Sequence, residues 1–219
     1  MPLPLGLSYR RALLDAELER LAPAVAGVVL EVGARRVARG RWAPPLRRVR
    51  RWIRLDLDAA ERPDLVGDAV ALPIRAASVD TVVCVETLQY TTAPDAAMAE
   101  LARVLTPGGA ALISVPFLHR ADGPADRHRF TDARVRELVA GAGLRLVALA
   151  AQGRFFTTIA NQLRQAAARV ESRPVRWLVG AGIVPLSALL LGLDGLRPVR
   201  CSPFFASFTT GFVALAHKD

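Results

Sequence analysis

Apolar residues recur at helical spacing between Ser8 and Leu21 (Leu13, Leu14, Leu18, Leu21), and Pro23 ends the pattern. Residues 28–32 then form a short β-rich apolar run that leads straight into Gly33, the pattern of a buried strand. Residues 53–57 predict a second strand and 65–69 a weak third, before Pro73 opens a loop. Residues 81–85 predict a further strand, 96–105 a helix stopped by Thr106-Pro107-Gly108-Gly109, and 110–115 a strand closed by Pro116. A polar loop covers 117–130, Thr131 caps a helix that ends near Gly141 and Gly143, and 144–151 read as a strand. Residues 155–170 are amphipathic, with Phe155, Phe156, Ile159, Leu163 and Val170 on one side, and 207–216 make a last strand.

Strands alternating with helices predict an α/β fold: a Rossmann-like, mostly parallel, doubly wound sheet with helices on both faces and an added C-terminal helical segment. The expected organisation is one domain over 1–219, with its core at about 24–151 and 205–217 and a helical insertion or lid at about 154–195. In such sheets ligands bind beyond the carboxyl ends of the strands, which singles out the residues just after each run.

One segment needs a membrane test. Residues 177–193 carry no charge, follow Arg173 and Arg176, and precede Asp194. Seventeen residues is the lower limit for a spanning helix, and Gly180, Gly182, Pro185 and Gly192 interrupt it. The expectation is a buried or surface-lying helix rather than a span.

With 52% hydrophobic residues in 219, the chain can bury one sizeable core and is not disordered. Its two cysteines, Cys84 and Cys201, make neither a disulfide framework nor a metal cluster, and no metal is expected. The net charge of +9 has a local origin: nine arginines (35, 36, 39, 41, 47, 48, 50, 51 and 54) and no acid lie between Arg35 and Arg54. Pro44 and Pro45 keep that stretch from being one helix. It reads as a solvated face, as an attractor for an anionic substrate or membrane headgroup, or, last, as an RNA contact.

A strand, a glycine and a later acid suit a nucleoside site, because glycine allows close approach and a carboxylate grips ribose hydroxyls. Glu31-Val32-Gly33, Asp56, Gly67-Asp68-Ala69 and Leu72-Pro73 are followed in order by residues 80–88 and by Arg103-Val104-Leu105-Thr106-Pro107-Gly108-Gly109. This series resembles the class I S-adenosylmethionine-dependent methyltransferases, in their small-molecule, type 11-like branch. Val115-Pro116-Phe117 and Arg129-Phe130-Thr131 look like the members of sugar, lipid and antibiotic pathways. The resemblance implies that S-adenosylmethionine is the cofactor. Glu31 and Gly33 would border its methionine portion, Asp56 would accept the ribose hydroxyls, and Asp68 with Ala69 would hold the adenine. Val85 and Glu86 would line the methionyl side. Two positions depart from the family pattern: Arg35 stands where a second glycine is usual, and Tyr90 where many relatives carry histidine.

Methyl transfer from a sulfonium is an in-line displacement that rests largely on positioning, although a hydroxyl nucleophile profits from a base. The loop at 117–130 offers His119, Asp122, Asp126 and His128; His128 and His119 are the base candidates. The expected reaction is methyl transfer to a small-molecule, lipid-linked or sugar-linked acceptor in a bacterial biosynthetic pathway, in the cytoplasm or peripheral to the membrane. Contact with an anionic membrane would use Arg35–Arg54 or the 155–193 helices. The competing reading is a catalytically degenerate subunit acting through a protein partner.

Overall fold

A computed structural model describes residues 8–35, 40–43 and 46–219. The break at Pro44-Pro45 and the arginines Arg36 and Arg39 lie outside the described residues. Helix α1 (Tyr9–Leu21) starts on Ser8, whose hydroxyl accepts from the Arg11 amide. Strands β1 (Gly27–Val32), β2 (Val49–Asp56), β3 (Leu65–Val66) and β4 (Val79–Val85) follow. Then come α2 (Pro94–Val104), β5 (Leu105–Pro116), α3 (Asp132–Gly141) and β6 (Arg145–Ala151). The chain continues through α4 (Phe155–Ala168), α5 (Arg173–Asp194), the short α6 (Arg197–Arg200) and α7 (Pro203–Ala206), and returns in β7 (Gly211–His217).

The seven strands lie in the order β3-β2-β1-β4-β5-β7-β6. The first five run parallel, and β7 is antiparallel to both β5 and β6. The order reverses between β1 and β4, and this is where the carboxyl ends of parallel strands open a crevice. One face of the sheet packs Leu30, Val82 and Ile113 against Leu101 of α2 and Leu138 of α3. The other packs Val29, Val83 and Leu112 against Leu14, Leu18 and Leu21 of α1. Helices therefore cover both faces, as the alternation predicts. Among the described residues, however, the crossovers from β1 to β4 hold only single 3-10 turns, at Leu46–Arg48 and Ala59–Glu61.

Three expectations are corrected. Strand β2 begins at Val49 instead of 53, inside the arginine stretch. Because β3 pairs only with Leu55 and Asp56, the first part of β2 is a sheet edge where Arg50 and Arg51 reach water. Helix α5 runs unbroken through Gly180, Gly182, Pro185 and Gly192, which were expected to interrupt it, and of the two expected placements it takes the surface one, with only Gly180, Ser187 and Asp194 of its 22 residues buried. In α4 the apolar side predicted for the core is half-buried, and the buried face is Thr157, Thr158, Ala160, Asn161, Arg164 and Ala167.

Candidate active site

Gly33 ends β1 with φ +80°, and a side chain there would meet Thr87 Oγ1 at 2.0 Å. Glycine is required by the turn and by this close approach. The loop then bends over β2, where the Gly33 and Ala34 amides donate to the Leu55 carbonyl at 2.8 and 3.1 Å. Asp56 is the last residue of β2; its Oδ1 accepts from the Asp58 amide at 2.9 Å, and among the described residues nothing else bonds to the carboxylate. Asp68 Oδ1 accepts from the Val70 amide at 3.1 Å, and Ala69 and Leu72 beside it are buried. These residues share one edge, along the carboxyl ends of β1, β2 and β3.

Glu31 is placed differently. Its Oε2 accepts from Trp52 Nε1 at 2.8 Å, and burial pushes its pKa up against the opposing pull of that hydrogen bond and of Arg54. Arg35, where a second glycine was expected, is exposed and comes to 4.0 Å from Glu61. Its guanidinium is thus carried toward the turn after β2. Several other arginines of the stretch are spent inside the chain: Arg48 on the Pro23 carbonyl at 2.7 Å, and Arg50 on Asp80 at 2.6 Å.

Beyond β4 and β5 lies a cleft of about 860 Å³. Val85 leads into Glu86, a non-glycine residue held at φ 55°. The Glu86 carboxylate takes an ion pair from Arg10 and a hydrogen bond from Ser114 Oγ. Arg10 is itself fixed: its Nε donates to the Thr210 carbonyl at 3.3 Å and its amide to Asn161 Oδ1 at 3.2 Å. Gln89 is buried at the cleft wall; its Nε2 donates to the Glu86 carbonyl, while Oε1 has no partner among the described residues. The Tyr90 hydroxyl reaches Asp122 Oδ2 at 3.2 Å.

The loop after β5 supplies the far wall. Arg129 ties it by pairing both nitrogens with Asp126 at 2.6 Å and by donating to the carbonyls of His119, Arg120 and His128. Held in this way, His119 lines the cleft. Burial pushes its pKa down to about 4, helped by the charge of Arg10 and opposed by Glu86, so it is neutral near pH 7. His128 is not among the lining residues: its Nε2 is 3.0 Å from the Thr91 carbonyl and its ring packs on Phe130. Arg10, Arg11, Arg120, Arg164 and Arg169 line the cleft with Glu86, Asp122 and Asp126, and Arg120 pairs with Asp122 at 2.9 Å. Cys84, buried in β4 with its pKa pushed up to about 12, is no nucleophile.

The structure thus brings Glu86 and His119 together at the cleft, and aligns Gly33, Asp56, Asp68 and Ala69 along the adjoining edge. It leaves His128 on the loop's rear and Glu31 on Trp52. Arg10, Gln89 and Ser114 were not legible as site residues, since their partners are 25 or more residues away or are backbone atoms. The donor set fits S-adenosylmethionine. The carboxylate of Asp56 stands at the end of β2 with one backbone amide as its partner, that of Asp68 lies one strand further, and the Gln89 carbonyl oxygen is a buried acceptor without a donor among the described residues.

Residues 31–113 match the family described as Methyltransferase domain. A search of curated protein sequences finds no match. Among solved structures, an S-adenosylmethionine-dependent methyltransferase from Archaeoglobus fulgidus superposes with a TM-score of 0.56 at 12% identity, over 95% of this chain and 94% of that one. Geranyl diphosphate C-methyltransferase from Streptomyces coelicolor, in complex with Mg2+, geranyl diphosphate and S-adenosyl-L-homocysteine, gives 0.58 at 14% identity, over 95% and 81%. A phosphoethanolamine N-methyltransferase from Haemonchus contortus, in complex with phosphomonomethylethanolamine and S-adenosylhomocysteine, gives 0.55 at 17% identity, over 94% of this chain and 52% of that one. Over residues 31–113 this chain is similar to the methyltransferase domain family, and its fold is the one seen in S-adenosylmethionine-dependent methyltransferases.

Proposed function

We propose that the acceptor of this methyltransferase is a small molecule bearing an anionic group, lipid-linked or sugar-linked, seated in the arginine-lined cleft beyond β4 and β5. The observation that carries this reading is the pairing of a neutral His119 with the cations Arg10, Arg120 and Arg169 on one cleft. Two structural neighbours hold phosphate-bearing molecules, geranyl diphosphate in one and phosphomonomethylethanolamine in the other, which supports an anionic acceptor. A bacterial, cytoplasmic biosynthetic setting belongs to the same proposal, and a lipid-linked acceptor would be met at a membrane surface.

Bound S-adenosylmethionine supplies an electrophilic methyl carbon. Asp56 would accept the two ribose hydroxyls in charge-assisted hydrogen bonds, and Asp68 the adenine amino group. Gln89 Oε1 would take a donor from the methionine end or the acceptor, completing a bond that the fold leaves open. Arg10 and Ser114 hold the Glu86 carboxylate in place at the cleft. Arg120 and Arg169 would hold the acceptor's anionic group, fixing its nucleophile in line. His119, uncharged, would receive the acceptor's proton on a ring nitrogen. An anion bound beside it offsets the neighbouring arginine charge and raises its basicity in the complex.

Calorimetric titration with S-adenosylhomocysteine, followed by methyl transfer to a panel of phosphate-bearing alcohols and amines, tests the reading. The expected result is micromolar cofactor binding, weakened about tenfold or more in Asp56→Ala, a loss of about 1.4 kcal/mol, with turnover confined to anionic acceptors. Turnover of neutral acceptors alone would overturn the anionic assignment, and unchanged affinity in Asp56→Ala would remove that residue from the site.

A further inference from the structure

Helix α5 is built inside out. Its buried positions, Gly180, Ser187 and Asp194, follow one another at intervals of seven and carry only small or polar side chains. Ser187 Oγ lies 3.3 Å from the Tyr9 hydroxyl and 3.4 Å from Arg164 Nη1. Asp194 accepts from the Phe156 and Thr157 amides at 3.2 and 2.8 Å. The apolar residues point outward: Trp177 is 75% exposed, Leu178 68% and Leu189 62%, with Val175 and Leu186 exposed beside them. Helix α4 repeats the inversion, because its buried face holds Thr157, Thr158, Asn161 and Arg164.

Against water this orientation is unfavourable, since each Leu or Trp turned inward would gain roughly 1.5–3 kcal/mol. Polar inward and apolar outward suits a helix whose outer medium is hydrocarbon. The charges say which kind. No charge occurs from Trp177 to Leu193, while Arg173 and Arg176 precede this run and Arg197 and Arg200 follow it. Asp194 faces inward, and Glu171 is the exposed acid at this end. Both ends of the face are thus basic. A second copy laid on it in either direction would oppose arginine to arginine, whereas lipid phosphates complement both ends. The helix is 22 residues long, about 33 Å, but its inner side is occupied by the polar seam against α1 and α4, which fits a helix lying in the interface and not one crossing it.

We propose that α5 docks this enzyme on an anionic membrane, its apolar face sunk among the acyl chains and its flanking arginines on lipid phosphates. Phe204 of α7 is also exposed, in contact with Phe155, Phe205 and Phe208. Helix α4 links this surface to the cleft, because Arg164, Gln165 and Arg169 line the cleft and the Arg164 guanidinium also meets Ser187 of α5. The dock is independent of which acceptor the cleft takes.

Flotation of the full chain with vesicles tests it, using phosphatidylcholine alone and phosphatidylcholine with one third phosphatidylglycerol. The expected result is binding to the anionic vesicles, reduced by high salt, with a blue shift of Trp177 emission that Trp177→Phe abolishes. The double variant Leu178→Glu/Leu189→Glu should lose about tenfold or more in partitioning while keeping its thermal midpoint and its S-adenosylhomocysteine affinity. Absence of binding to either vesicle, or equal binding by the double variant, would overturn the proposal. So would a dimer in lipid-free solution that the double variant dissolves, because the face would then belong to a second copy.

Discussion

Helices α2 and α3 and helices α4 and α5 carry similar amounts of apolar sequence and use it in opposite ways. In the first pair Leu101, Val104, Leu138 and Val139 enter the core against the sheet, and the outward positions are charged, such as Asp95 and Arg136. In the second pair the core side is Ser187, Asp194, Asn161 and Arg164, and the outward side is Trp177, Leu178 and Leu189. Periodicity shows that a helix has two faces; it does not show which face the fold will hide. That depends on what stands opposite. The sheet offers α2 and α3 an apolar surface, whereas α1 offers α4 and α5 the hydroxyl of Tyr9 and the backbone amide of Arg10, which only polar partners satisfy.

The largest expected contrast is between two leucines. Leu101→Ala, at a fully buried site, should destabilise by about 2–5 kcal/mol in chemical denaturation, because the cavity collapses only in part. Leu189→Ala on α5 should change stability by no more than about 0.5 kcal/mol. A comparable loss at Leu189 would break the comparison by showing that its face is packed. A smaller effect probes the polar seam. Arg154, at the cap position of α4, makes no side-chain capping bond, and Asp194 supplies the missing acceptor from the end of α5. Asp194→Ala should therefore cost about 0.5–2 kcal/mol, read as a lower unfolding midpoint. An unchanged midpoint would reduce the seam to incidental contact.

Another effect is pH-linked and belongs to the cleft wall. The folded protein protonates His119 only near pH 4, whereas the unfolded chain does so near the ordinary value of 6.5. The unfolded state binds more protons between these values, so stability falls as pH drops from 6.5 toward 4. His119→Gln should flatten this part of the melting-temperature profile, and an unaltered slope would place the titration elsewhere. In the wild type the same shift should leave kcat/KM level down to about pH 5, below the point where an exposed histidine base would have failed.

The expected fold class was legible because it rests on local chemistry. Strands read as apolar runs; Gly33 directly follows one, Asp56 ends one and Asp68 lies two residues past one. The cleft was legible only in part. His119 and Glu86 fall after strand ends, but Arg10 reaches Glu86 from α1, 76 residues earlier in the chain, and Gln89 is defined by an atom left without a donor among the described residues. His128 shares the loop with His119 and is equally plausible by type, yet Arg129 fixes the loop so that only His119 faces the cleft.

By itself, then, the sequence determined the alternation of strands and helices, the one-sided concentration of arginine and the uncharged length of 177–193, all of which are properties of neighbouring residues. The tertiary structure alone decided that several of those arginines are spent on internal partners and that α5 presents its apolar side outward. The physical reason is the same in both cases. The free energy of a charge or an apolar face depends on the surface it meets, and that surface is built by residues far away in the chain.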